Sequence, residues 1–267
     1  MMETLDRNKA THKLKNFGPI YYLNLDGQPE RRECMEEQFK YWNIENYTRI
    51  SAYDGRYDDL SDILKGKYPD QMTSGEIGCT TSHLKAIKHW LDTSDSSYAI
   101  MMEDDCDLSV AKYWDFTWRD FLSRAPYAWD VLQLAIISTG DIHVPIHTRF
   151  VNDFSTACYA ITRHHAEKLI KLHVRGSKYK LDNGVLPRPV ADDLIYNSGC
   201  TYATPILLYK LKLGSSIHPE HIDAFHRRSH DGILNFWQHK GPDFKLEDIT
   251  NFNPYLGRVS DPSPPAS

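Results

Sequence analysis

Residues 98–110, YAIMMEDDCDLSV, run an apolar stretch into four acids within five positions, Glu103, Asp104, Asp105 and Asp107. Carboxylates this crowded repel, so they must be solvated, protonated or neutralised by a cation. An exposed turn after a strand gives the first outcome, because aspartate tolerates turn geometry and solvates well. A hard cation gives the third: Mg²⁺ or Mn²⁺ prefers carboxylate oxygen and commonly bridges one or two acids to a substrate diphosphate. Tyr98 to Met102 reads as a buried strand. In sheets of alternating strands and helices, ligands gather at the carboxyl ends of strands. Position thus shifts the reading toward a ligand, although an acid cluster alone is a weak motif.

A second stretch is GEIGCTTSHLKAIKHWL, residues 75–91. On a helix Cys79, Ser82, His83 and Ala86 fall at i, i+3, i+4 and i+7, a stripe of small and polar side chains. Gly75, Gly78 and Ala86 suit close packing on a sheet, with His83 a satisfied interior histidine. The same stripe suits a wall against a nucleotide, and both readings stay open. Further on, HPEHIDAFHRRSH gathers His218, His221, His226 and His230. Neutral imidazole is a common metal ligand, but no helical HExxH accompanies these histidines and Pro219 disrupts the local geometry. A basic loop with Arg227 and Arg228 facing phosphates is the competing reading.

Several elements must position these residues. Ile20 to Leu25 reads as a first strand, and PERRECMEEQFKYW as a helix with Pro29 at its start and Met35, Phe39 and Trp42 on one face. YTRISAYDG is a second strand ending in a turn. Thr73 and Glu76 form a capping-box pattern ahead of the helix that carries the stripe. A helix near Trp114 to Leu122, strands at WDVLQLA and STACYAIT, a helix at HHAEKLIKLH and a short helix at ADDLIY follow. Lys178 to Pro189 reads as a loop, and the chain beyond Tyr202 as mostly irregular. Strands alternating with helices predict an α/β fold, a Rossmann-like sheet covered by helices. Residues 1–16 are expected to be a flexible leader, 17–257 one domain, and 258–267, rich in proline and serine, a disordered tail.

With 267 residues, 41% hydrophobic and 25% charged, the composition is that of a soluble globular chain. A net charge of −5 argues against nucleic acid as the main partner. No stretch is apolar enough to span a bilayer, and the polar N-terminus lacks a signal core. Five scattered cysteines without CxxC spacing point away from a disulfide framework and toward a reducing, cytoplasmic setting.

Taken in order, IYYLNLDGQPERRECMEEQF, GEIGCTTSHLKAIKHWL, YAIMMEDDCDL, STACYAITRHHAEKLI, PVADDLIY and LYKLKLGSSI resemble the blocks of the family 25 glycosyltransferases. That group includes lipooligosaccharide and collagen galactosyltransferases, and the resemblance covers about residues 19 to 217. It implies a GT-A type fold, with a Rossmann-like mixed sheet flanked by helices. It also implies a UDP-sugar donor (galactose or glucose), a divalent metal, Mn²⁺ or Mg²⁺, and inversion at the anomeric carbon. The acceptor it implies is a glycan, lipooligosaccharide or glycoprotein. It places the metal at Asp105, with Glu103 and Asp104 as nearby metal or ribose contacts. Gly78, Ser82, His83, Asn24 and Arg31 fall beside the nucleotide. A late histidine often joins the metal in GT-A enzymes, which singles out His218. Ala191 stands between the valine and the first acid of PVADDLIY, where the family runs from one to the other directly. Asp192 and Asp193 both therefore remain candidates for the base, with Asp192 favoured by its distance to Ile195. A non-catalytic nucleotide-sugar or glycan-binding module is the runner-up, and a two-carboxylate glycoside hydrolase a third, less favoured reading.

Overall fold

The structure, a computed structural model, describes residues 8–66, 69–182, 189–213 and 225–251. Its centre is a mixed eight-stranded sheet. Seven strands lie along one path: β1 (Ile20–Asn24), β2 (Tyr47–Ser51), β3 (Tyr98–Glu103), β4 (Cys106–Asp107), β5 (Val131–Ala135), β6 (Cys158–Thr162) and β7 (Thr201–Tyr209). Their spatial order is β2-β1-β3-β6-β5-β7-β4, with His147–Thr148 pairing beside β7. β1 is parallel to β2 and β3, and β5 to β7, whereas β6 runs antiparallel between β3 and β5. Residues of one strand alternate between two cores, as the pleat requires. Ile20, Tyr22, Ile100 and Met102 face one core, and Tyr21, Leu23, Ala99 and Met101 the other.

The first face is covered by α1 (Pro29–Trp42), which buries Met35, Phe39 and Trp42. Each such side chain contributes about 1.5–3 kcal/mol of hydrophobic stabilisation. Pro29 opens this helix and Asn43, left-handed at φ 55°, closes it. The opposite face is covered by α2 (Ser74–Thr93) through Ile77, Leu84, Ile87 and Trp90. The Thr73–Glu76 capping box forms reciprocally, with Thr73 N donating to Glu76 Oε2 at 2.8 Å and Glu76 N to Thr73 Oγ1 at 3.2 Å.

The helix expected over Trp114 to Leu122 is a 3-10 turn, Ser109–Tyr113, followed by α3 (Trp118–Ser123). Thr117 caps α3 with Asp120, which fixes its start four residues later than the apolar pattern suggests. α4 (Arg163–His173) and α5 (Ala191–Tyr196) stand where expected. Within the expected loop 178–189, Lys178–Tyr179 pairs with Val174–Arg175.

The largest correction lies beyond Tyr202, where irregular chain was expected. β7 is a nine-residue strand running through Pro205, and α6 (Arg227–His239) and α7 (Leu246–Thr250) follow it. Proline interrupts a ladder, and the register of β7 against β5 shifts between Ala203 and Leu207. The carbonyls at this irregularity accept indole N–H groups instead: Trp237 donates to Pro205 O at 2.7 Å and Trp114 to Ile206 O at 3.0 Å. At the other end, Leu14 is buried in the first core and Lys13 Nζ donates to the carbonyls of Lys112 and Trp114. Residues 8–16, expected in a flexible leader, are thus packed on the domain. The expected tail, 258–267, lies outside the described residues.

Candidate functional site

An open cleft of about 680 Å³, mouth included, lies at the carboxyl ends of β1, β2 and β3. Asn24, Gln28 and Arg31 line it from the first strand and helix. Tyr53, Gly55 and Arg56 come from the loop after β2, Cys79 and Ser82 from α2, and Glu103, Asp104 and Asp105 from the end of β3. The topology predicts a ligand site at this place.

Within it the acids separate by their partners. Asp104 is buried, with Oδ2 accepting from Asn24 Nδ2 and Oδ1 from Arg31 Nε, both at 2.7 Å. Arg31 also donates to Leu213 O at 3.1 Å and stands 3.4 Å from Asp105 Oδ2. Burial acts against the Arg31 charge, but Asp105, Asp104 and Glu103 outweigh it and raise its pKa. Glu103 Oε1 accepts from Thr156 Oγ1 at 2.6 Å and lies 3.3 Å from His83 Nε2. Burial pushes Glu103 upward, yet His83, Thr156 and Arg31 hold it below the ordinary carboxylate value. Asp107 is spent on the turn that follows, where its Oδ1 accepts from Ser109 N at 2.8 Å.

Asp105 is left over. Its backbone is fixed, since Lys210 N donates to its carbonyl at 2.7 Å, but its buried Oδ1 has no hydrogen-bond partner. Burial, then the neighbouring Glu103 charge, pushes its pKa up to about 7 against the pull of Arg31. A buried carboxylate oxygen without a donor is costly, and a cation would satisfy it. The residues present therefore fit a hard metal ion at Asp105.

The stripe on α2 divides between the two readings that were open. Gly78 serves close approach: a Cβ there would stand 2.8 Å from both Gly55 N and Tyr53 O. Ser82 Oγ accepts from Tyr53 N at 2.8 Å and so holds the same loop, while also lining the cleft. His83 is wholly buried, with Nδ1 3.0 Å from Tyr159 Oη and Nε2 toward Glu103. It positions Glu103 from below and does not line the cleft.

Asp192 and Asp193 lie in the first turn of α5, but neither is its N-cap, which is Val190. Asp192 Oδ2 accepts from Ser155 N at 3.1 Å, outside its own helix. Burial raises its pKa to about 6; Arg149 and the Ser155 N–H oppose the shift, and Glu103 and Asp193 add to it. Burial, then the nearby charges of Glu103, Asp192 and Asp105, pushes the Cys79 thiol up, but Asp192 is not among the residues that line the cleft. Asp193 Oδ1 accepts from Asn197 Nδ2 at 3.2 Å along the helix. His218 lies outside the described residues. Of its neighbours, His226 is bonded through its carbonyl to Tyr209 Oη and His230 Nδ1 stands 2.9 Å from Asp231.

Ser155 and Thr156, expected to open the strand STACYAIT, lie instead in a loop before β6, which begins at Cys158. Ser155 sits at φ 95°, a region that is strained for a side-chain-bearing residue. Gln133 Nε2 reaches the carbonyls of Asp153, Phe154 and Ser155, Tyr196 Oη reaches that of Ser155, and Thr156 bonds Glu103. One buried glutamine in an otherwise apolar strand, VLQLA, was the signal available.

Residues 17–123 match the model of the family described as glycosyltransferase family 25 (LPS biosynthesis protein). Over 91 residues the chain is 33% identical to a protein of Acanthamoeba polyphaga mimivirus named "Putative glycosyltransferase R655", which covers 32% of this chain and 28% of that relative. The match thus spans under a third of the relative's length. Among solved structures, A197 from STIV is similar at 11% identity and a TM-score of 0.40, over 70% of this chain and 82% of that one. HddC from Yersinia pseudotuberculosis complexed with GMP-PN is similar at 12% identity and a TM-score of 0.34, over 78% and 98% respectively.

Proposed function

We propose, from the family 25 match over residues 17–123, that this chain is a metal-dependent, inverting glycosyltransferase. It moves galactose or glucose from a UDP-sugar to a hydroxyl of a glycan, lipooligosaccharide or glycoprotein acceptor. The observation that carries the reading is Asp105: a buried carboxylate oxygen without a donor, among acids that are otherwise all partnered, on the wall of a cleft at the strand ends. Asp105 would hold Mn²⁺ or Mg²⁺ through that oxygen. A cation there stabilises the charge that develops on a departing diphosphate without proton transfer.

The chain's own residues do the rest. Asn24 and Arg31 clamp Asp104 and thereby fix the backbone that carries Asp105. Arg56, on the cleft wall, is already paired with Asp54 through Nε and Nη2 at 2.8 and 2.7 Å. Asp192 takes the proton of the acceptor hydroxyl on Oδ1, because Oδ2 is occupied by Ser155 N–H. A pKa of about 6 leaves it ionised at neutral pH while making it a stronger base than an ordinary aspartate.

The test is a panel of UDP-sugars with glycan acceptors, scored for UDP release and for the new glycosidic bond, with and without Mn²⁺. A transferase yields both products, a binder neither, and a hydrolase only free sugar. Asp105→Asn is expected to lower turnover by orders of magnitude with the fold intact, and undiminished activity in excess chelator would overturn the metal reading.

A further inference from the structure

A different set of donors meets where α2 packs against the end of β3. Cys79 and His83 stand at i and i+4 on α2, so both side chains leave the same face of the helix. Glu103 approaches from the end of β3. One donor atom from each, Sγ, Nε2 and a carboxylate oxygen, lies within 4.8 Å of the other two. Among the described residues this is the one group of three or more such side chains so disposed. From the geometry we propose that Cys79, His83 and Glu103 form a site for a thiophilic divalent cation of the zinc class, separate from the hard-cation position at Asp105.

Three observations support it. The first is spacing: zinc bonds of about 2.0–2.3 Å in a tetrahedron put N and O ligands about 3.3 Å apart, and His83 Nε2 and Glu103 Oε1 are 3.3 Å apart. Closing the Cys79 sulfur onto them needs a shift of about 1 Å, within the reach of a χ1 adjustment. The second is support behind the ligands. Metal-bound histidines usually donate their other ring N–H to an oxygen, and Tyr159 Oη lies 3.0 Å from His83 Nδ1. Thr156 Oγ1 likewise holds Glu103. The third is access: Cys79 and Glu103 line the cleft while His83 is wholly buried, so a fourth coordination position would open toward solvent. Three protein ligands and an open position are the pattern of a zinc site that keeps room for water or another ligand.

Donor chemistry sorts the two positions. A thiolate and an imidazole suit zinc and its like, whereas Mg²⁺ and Mn²⁺ prefer oxygen donors. Asp105, offering oxygen alone, has the opposite preference.

The site is tested on nucleotide-free protein with Co²⁺ alone as a spectroscopic stand-in for zinc, so the outcome does not depend on glycosyl transfer. Wild-type protein should develop a near-ultraviolet thiolate-to-cobalt band saturating at one equivalent and bleached by Zn²⁺. Cys79→Ser should abolish the band and weaken Zn²⁺ binding by at least about tenfold, whereas Asp105→Asn and Cys200→Ser should keep both. Peptide mapping after alkylation gives a second reading that needs no variant, because Zn²⁺ should protect Cys79 selectively. Absence of the band in wild-type protein, its persistence in Cys79→Ser, or alkylation of Cys79 unaffected by Zn²⁺ would each overturn the proposal.

Discussion

Replacing Asp192 by asparagine should move stability and turnover in opposite directions. The side chain keeps its shape, and an amide oxygen can still accept the Ser155 N–H, but the charge is gone. The native pKa stands at about 6 against an ordinary 3.8. For an acid raised in this way the folded protein holds its proton more tightly than the unfolded chain does. Its contribution to stability is therefore fully present below 3.8 and is lost as pH rises through 6. At about 1.4 kcal/mol per pH unit, the shift has removed about 3 kcal/mol by pH 8 and about 1 kcal/mol by pH 4.5, where the unfolded chain is already ionised. Asparagine does not titrate. Urea unfolding at both pH values should show the variant gaining on the wild type by about 2 kcal/mol between them. Turnover should meanwhile fall roughly 10²-fold or more with UDP binding retained. An aspartate that merely supports the start of α5 predicts the reverse, a loss of about 1 kcal/mol and unchanged turnover. A stability difference that is the same at both pH values, or a variant with near-native turnover, refutes the reasoning.

Three further outcomes follow from the same geometry. Wild-type turnover should rise with pH through about 6 as Asp192 ionises, and a rate independent of pH between 5 and 7 would remove it as the base. UDP at millimolar concentration should raise the melting temperature with Mn²⁺ present, by mass action on the native state; a shift with GDP or CMP instead would overturn the donor. Gly55→Ala places a Cβ 1.7 Å from the Ser74 carbonyl oxygen, so it should destabilise by several kcal/mol in thermal melts.

Local pattern made five of the eight strands of the sheet legible. α1 spans the fourteen residues that its proline start and apolar spacing mark out, and the capping box places the start of α2. β7 was hidden because Pro205 makes its run read as non-strand, and only the indole donors from distant segments reveal how the break is satisfied. The acid motif was visible, but its internal division of labour was not. Adjacent aspartates of the same type differ because Asn24 and Arg31, some eighty residues earlier, reach one and leave an oxygen of the other bare. Sequence spacing records neither the loop at Ser155 and Thr156 nor its hold on Glu103.

The two indole bonds at Pro205 and Ile206 bear on where this chain can be cut. Trp237 belongs to α6 and Trp114 to the turn ahead of α3, so elements far apart in the chain plug the same gap in the sheet. A truncation that stops short of Trp237 would leave a carbonyl of Pro205 bare in the protein interior and remove a fully buried ring from the first core. The smallest fragment that folds must therefore reach into α6, well past the segment that matches the family, and emission from these tryptophans would report whether a given boundary has been drawn too early.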